Sequence, residues 1–212
     1  SLEAIPLTNS AGLLARIGVQ GLKGPASLVW AYGGASGFFT NWAMTAPEFN
    51  YDPKQCAKDA IRWEGGRFVL TRGFDKSDAI MNEVFAVAKK LTGWKAVIQG
   101  GSSFKSQCGF GAPAAFSASP SELARSARWG ETAEQTNIVA VQEIALSAGD
   151  TRGFIAVGMG GDIVEAVRRP EEAWKAAWAR NASIAGRVVT HTPDPYLDAA
   201  MPMMAFATEG MW

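Results

Sequence analysis

The chain has 212 residues, with 20 lysines and arginines against 20 aspartates and glutamates, 48% hydrophobic residues and 19% charged ones. That balance leaves no net field to draw in nucleic acid or an anionic membrane surface, and the composition is that of a globular chain. The apolar runs are too short to span a bilayer, so no membrane partner is expected, and the length supports one substantial core, or one domain plus the beginning of a second.

In chain order, the first half reads as short strands between glycine-rich turns. Leu13–Val19 and Ser27–Tyr32 are rich in β-compatible residues and are separated by the turn-forming QGLKGP, which predicts an antiparallel pair. A long connection follows, GGASGFFTNWAMTAPEFNYDPKQ, dense in glycine, proline and aromatic residues. Connections of this length inside a domain are uncommon and are often functional, because their ordering has to be offset by packing or by a ligand.

Ala60–Glu64 and Arg67–Arg72 flank Gly65-Gly66, a dipeptide that tolerates the positive φ of a tight hairpin. Over Asp78–Leu91 the recurrence of Ile80, Val84, Val87 and Leu91 is helical, although three of these suit a strand equally. Trp94–Gln99 predicts a strand ended by Gly100-Gly101, and Pro120–Arg128 a short helix with Ser119 as its N-cap and Glu122 at capping-box spacing. Asn137–Leu146 and Gly153–Gly158 are the clearest strands, and SAGDTR between them predicts a hairpin turn.

Beyond Gly160-Gly161 the chain becomes alanine-rich and helical, with Trp174 and Trp178 four apart on one face. In TPDP (Thr192–Pro195) the prolines exclude helix at the residues before them, while Asp194 is placed to cap the helix that Pro195 begins. That last helix has Tyr196, Leu197, Ala200, Met203, Met204 and Phe206 at the spacing of a helix buried on more than one side. Its cover is expected to come from outside Ser1–Trp212.

Few residues offer catalytic chemistry. Cys56 and Cys108 form no Cys-x-x-Cys pattern, and with His191 the only histidine there are too few ligands for structural zinc, so neither a metal nor a cofactor is expected. The cysteines are compatible with one disulfide or with two buried thiols. No leader pattern begins at Ser1, so any export signal is expected upstream of it or already removed. GGASG, GMGGD and QGGSS match neither a phosphate-binding P-loop nor a dinucleotide fingerprint, and Ser36, Ser102 and Ser103 lack the Gly-x-Ser-x-Gly elbow of serine hydrolases. Glu143, Asp150, Asp162 and Glu165 are acid or base candidates by type alone, and His191 reads as a boundary residue beside a helix start.

Two stretches carry a family resemblance. LVWAYGGASG (Leu28–Gly37) with PKQCAKDAIRWEGGRFVL (Pro53–Leu70) resembles the amino-terminal β-domain of a bacterial family of unknown function related to the six-hairpin glycosidases. AWKAAWARNASIAGRVVTHTPDPYLDAAM (Ala173–Met201) is similar to the linker helix of that family and the opening of its (α/α)6 barrel. The resemblance implies a mainly β protein: a supersandwich-like β-sandwich over residues 1–161, a helical linker over 162–191, and the first helix of a truncated barrel over 192–212.

It further implies a non-catalytic β-domain of a glycoside hydrolase-like enzyme, periplasmic or extracellular, that buttresses the catalytic barrel and walls part of the sugar cleft. The partners are then carbohydrate and the remainder of the same polypeptide. The catalytic carboxylates of such enzymes lie on barrel loops beyond Trp212, so no catalytic residue is assigned. One departure stands out: Phe38, Phe39 and Trp42 follow the Gly-Gly element where relatives carry polar and charged residues.

The candidate sugar platform is Trp30, Tyr32, Phe38 and Trp42, whose rings stack on apolar pyranose faces, with Asn41 to hydrogen-bond hydroxyls. Against it stands the expectation that Trp30 and Tyr32 are ordinary inward-facing strand residues. The alternatives are a stand-alone carbohydrate-binding module and a purely structural domain.

Overall fold

The computed structural model describes residues 1–33, 59–73 and 95–209. In chain order these form β1 (Leu2–Pro6), β2 (Gly12–Leu22), β3 (Ala26–Gly33), β4 (Asp59–Glu64), β5 (Arg67–Gly73), β6 (Lys95–Ser102) and β7 (Ser106–Gly111). Helices α1 (Pro113–Ala118) and α2 (Pro120–Ser126) follow, then β8 (Arg128–Trp129), β9 (Gln135–Thr136), β10 (Val139–Leu146) and β11 (Gly149–Met159). The chain continues through α3 (Asp162–Arg168), α4 (Pro170–Ala185) and α5 (Pro195–Glu209).

The strands make two antiparallel sheets, one of seven in the order β1-β2-β11-β6-β5-β4-β9 and one of four in the order β3-β10-β7-β8. Their facing sides interlock around Phe68, which is wholly buried, with Ile61, Trp63 and Leu70 from the larger sheet and Phe110, Ile138 and Ala140 from the smaller side. Tyr32 stacks on the Phe68 ring at 5.0 Å, Trp63 meets it edge-on at 5.9 Å and Trp30 is tilted against it at 6.1 Å. Burying a side chain of this size contributes about 3 kcal/mol, which makes the aromatic cluster the principal clamp between the sheets.

The outer faces are covered by helices. Leu123 of α2 packs on Val139 and Val141 of β10, and Ile163, Ala166, Trp174 and Ala177 of α3 and α4 pack on Ile5, Leu14, Phe154 and Ala156. The arrangement is therefore a β-sandwich with a helical layer on each side, mainly β as expected.

The Gly65-Gly66 hairpin forms as predicted, with Trp63 opposite Phe68, and the two glycines take φ of 55° and 80°. Ser119 caps α2, its Oγ accepting from the Glu122 amide at 3.1 Å, although the helix ends at Ser126 and is preceded by α1, which the sequence reading does not anticipate. The helix expected over Asp78–Leu91 lies outside the described residues.

Three strand expectations are corrected. β2 and β3 are not an antiparallel pair, since β2 lies between β1 and β11 while β3 pairs with β10. Likewise β10 and β11 do not form a hairpin; they belong to different sheets. In both cases a short polar turn carries the chain over the rim of the sandwich, and a period of two in each strand is satisfied equally by a hairpin or a crossover. β6 does not stop at Gly100-Gly101 but runs through to Ser102. A Cβ at Gly100 would lie 2.5 Å from Phe68 Cε1, so the glycine is a seat for that ring and not a strand terminator.

The expected linker is integrated with the sheet. Trp174 is buried against Phe154 at 5.8 Å, with the Arg16 guanidinium 4.5 Å over its ring. Trp178, expected to share its face, is 59% exposed.

Candidate functional site

Both long connections spring from one end of the sandwich. Gly33 closes β3 opposite Val139, Asp59 opens β4 opposite Arg72, and Gly73 closes β5 opposite Lys95, the first residue of β6. The aromatic connection is thus rooted at Gly33 and Asp59, beside the roots of the 74–94 connection. Gly33 takes φ of 124°, and a Cβ there would sit 3.3 Å from Val139 Cα, so the turn out of β3 needs glycine.

Of the five candidate platform residues, Trp30 and Tyr32 are described; Phe38, Asn41 and Trp42 lie outside the described residues, as do Phe39 and Thr40. Trp30 and Tyr32 are half-buried and point between the sheets, each giving part of its ring to the Phe68 cluster. Trp30 Nε1 donates to Gln142 Oε1 at 2.8 Å. Its polar edge is therefore committed inside the protein.

Gln142 is the residue that reading the sequence misses. It is buried, and its amide nitrogen donates to Ser106 Oγ at 2.6 Å, with the Gly66 carbonyl at 3.3 Å and Cys108 Sγ at 3.6 Å. This network ties β3, β7 and β10 to the β4–β5 turn of the other sheet and fixes the Trp30 indole between the sheets. The available signal was parity: a glutamine at an inward position of VAVQEIAL needs internal partners. Nearby, Trp63 Nε1 donates to the Gly109 carbonyl at 2.8 Å, a second link between the sheets.

Cys108 carries a free thiol. Burial pushes its pKa up, and the Gln142 amide opposes that in part, so the group is a neutral packing residue and not a nucleophile.

The carboxylates are dispersed. Glu143 sits on β10, half-buried, and Asp150 on β11 accepts from the Gly21 amide at 3.2 Å. Asp162 stands in the first turn of α3, and Glu165 one turn later pairs with Arg168 and Arg169 at 3.6 and 3.1 Å. These positions belong to three elements, which is not how two carboxyl groups flank one glycosidic bond. Among the described residues no group of three or more His, Cys, Asp and Glu comes together to hold a metal ion, and no helix is long and apolar enough to cross a membrane.

The TPDP element is a helix-start device. Asp194 Oδ1 accepts from the Tyr196 amide at 2.9 Å, and Asp198 reaches back to Thr190 Oγ1 at 2.9 Å and to the Thr192 amide at 3.0 Å. His191 between them is exposed. The helix so fixed, α5, rests on α4, with Asp198, Met201, Pro202 and Ala205 half-buried at helical spacing. Several of its large apolar residues are exposed: Tyr196 is 83% and Met203 74% exposed, and Leu197 and Phe206 are exposed as well.

Comparison with family models, curated proteins and solved structures finds no match to this chain.

Proposed function

We propose that this chain is a non-catalytic β-domain of a carbohydrate-active enzyme resembling glycoside hydrolases, buttressing a helical barrel through α5 and walling one side of the sugar cleft with the aromatic connection. The observation that carries this reading is α5. Its start is fixed by three side-chain devices and one flank is seated on α4, yet the large apolar side chains of Tyr196, Leu197, Met203 and Phe206 are exposed. Exposed apolar surface of that kind marks a face that another structure covers, and a further layer of helices covers a helix most efficiently. Trp178, exposed on α4, extends the uncovered apolar surface of the helical layer.

The cleft wall is supported by rooting. A connection containing Phe38, Asn41 and Trp42 leaves and returns at one end of a sandwich made rigid by the Phe68 cluster and the Gln142 network, which is how a scaffold holds a binding loop.

The test is titration calorimetry against a panel of soluble glucans, followed by kinetics of the polypeptide that joins this chain to a helical barrel. The chain alone should bind none measurably, because half a cleft retains too few contacts. In the joined enzyme, Trp42→Ala should raise KM at least about tenfold, as expected for a lost ring stack of ~1.4 kcal/mol. Unchanged kinetics removes the loop from the cleft, and tight binding by the isolated chain makes it a self-sufficient binding module instead.

A further inference from the structure

The chain contains two aspartyl-prolyl bonds, Asp52–Pro53 and Asp194–Pro195, and the second joins residues that the structure describes. This pairing of residues has a chemistry of its own. An aspartate carboxyl reaches the carbonyl carbon of its own residue through a five-membered ring, an intramolecular attack favoured by proximity. The proline nitrogen is a tertiary amide and leaves more readily than other peptide nitrogens once it takes a proton. Pro195 opens α5 and carries no N–H, so no backbone hydrogen bond restrains that nitrogen.

The fold directs donors at the carbonyl of this bond. The Asp194 carbonyl oxygen accepts from Thr192 Oγ1 at 2.8 Å and from the Asp198 amide at 3.3 Å. Thr192 is itself held in place: its hydroxyl accepts from the Asp194 amide at 3.1 Å, and its own amide donates to the two carboxylate oxygens of Asp198 at 3.0 and 3.1 Å. The Tyr196 amide donates to Asp194 Oδ1 at 2.9 Å, which assigns the attack to the other carboxyl oxygen, Oδ2. Thr192, Asp194 and Pro195 are exposed, so water reaches the bond. Donors fixed on a carbonyl oxygen before reaction stabilise the negative charge that gathers there as the carbon becomes tetrahedral.

We propose that Asp194–Pro195 is a self-cleaving bond, with the Asp194 carboxyl as nucleophile and the Thr192 hydroxyl and Asp198 amide as the donors to the oxyanion. Oδ2 bonds to the Asp194 carbonyl carbon, the bond from that carbon to the Pro195 nitrogen breaks, and the proton of the carboxylic acid passes to the nitrogen. The products are a cyclic anhydride at Asp194 and the free secondary amine of Pro195. One water then opens the anhydride, restoring the side-chain carboxyl beside a new α-carboxyl. The sum is hydrolysis of one peptide bond, with water the only co-reactant. Cleavage leaves α5 held to the rest of the chain by its packing on α4 alone. The reaction does not depend on what covers α5, and so stands apart from the function proposed above.

The experiment is incubation of the intact chain at physiological temperature, in a mildly acidic buffer where circular dichroism shows it folded, with mass spectrometry following the fragments 1–194 and 195–212. Asp194–Pro195 should break at least about tenfold faster in the folded chain than in the same chain unfolded in urea, where it should match Asp52–Pro53. Asp194→Ala should abolish the cleavage. Thr192→Ala should slow it about tenfold, the loss of one oxyanion donor, and Thr192→Ser, which keeps the hydroxyl, should restore it. No cleavage, cleavage no faster in the folded chain than in urea, or a rate unchanged in Thr192→Ala overturns the proposal.

Discussion

The contact between Gly100 and Phe68 permits a quantitative test of how the sandwich is clamped. A methyl group at Gly100 would stand 2.5 and 2.8 Å from Cε1 and Cζ of Phe68 and 2.9 Å from the Ala156 carbonyl oxygen. Gly100→Ala therefore forces the ring or the strand to shift, an overpacking cost of about 1–3 kcal/mol. Phe68→Ala removes a wholly buried ring in contact with three other aromatics and should cost about 3–5 kcal/mol. In the double variant the ring that meets the new methyl is gone and the methyl occupies part of the cavity, so the loss should fall short of the sum by about 1–2 kcal/mol, the coupling expected of residues in contact. Cancellation is incomplete because the Ala156 carbonyl remains. Urea unfolding followed by tryptophan fluorescence measures all four proteins, with Trp30 and Trp63 reporting beside the mutated site. Additivity within about 0.5 kcal/mol would refute the claim that this glycine serves as the seat of the ring.

Trp30→Phe keeps an aromatic ring but removes the donor to Gln142; with the buried acceptor left unpaired it should cost about 1–3 kcal/mol in thermal or urea unfolding, and less when combined with Gln142→Leu. Ser119→Ala should cost about 1 kcal/mol and speed amide exchange at Glu122, the donor to the cap. The Glu64 carboxylate is held below the ordinary carboxylate range, first by the hydrogen bond from Arg62 and then by the charges of Arg62 and Arg67. Since its folded-state pKa is depressed, the contribution is present above the unfolded pKa and is lost as pH falls through the folded one. The pair is solvent-exposed, so the loss on acidification should be no more than a few tenths of a kcal/mol, and pH-dependent melting of Arg62→Gln should show less of it, with Arg67 still in place.

Local chemistry was legible in the amino-acid order. The Gly65-Gly66 hairpin, the Ser119 cap, the Asp194 cap and the helices after Gly161 rest on neighbours within a few residues, where turn and capping rules act. The outward apolar face of α5 was legible for the same reason, as a helical period with more greasy positions than one flank uses. Of the candidate platform, the sequence supplied Trp30 and Tyr32 but not their direction.

What the tertiary structure decided is which strands meet and which face each side chain takes. A two-residue period does not distinguish a hairpin from a crossover, so the separation of β2 from β3 and of β10 from β11 depends on partners more than a hundred residues apart, such as Thr151 opposite Val19. The inward commitment of Trp30 depends likewise on Gln142, and the need for glycine at position 100 depends on a ring from β5. Periodicity is a property of one strand. Register and partner are properties of pairs of strands brought together by folding, and they leave no mark on either strand alone.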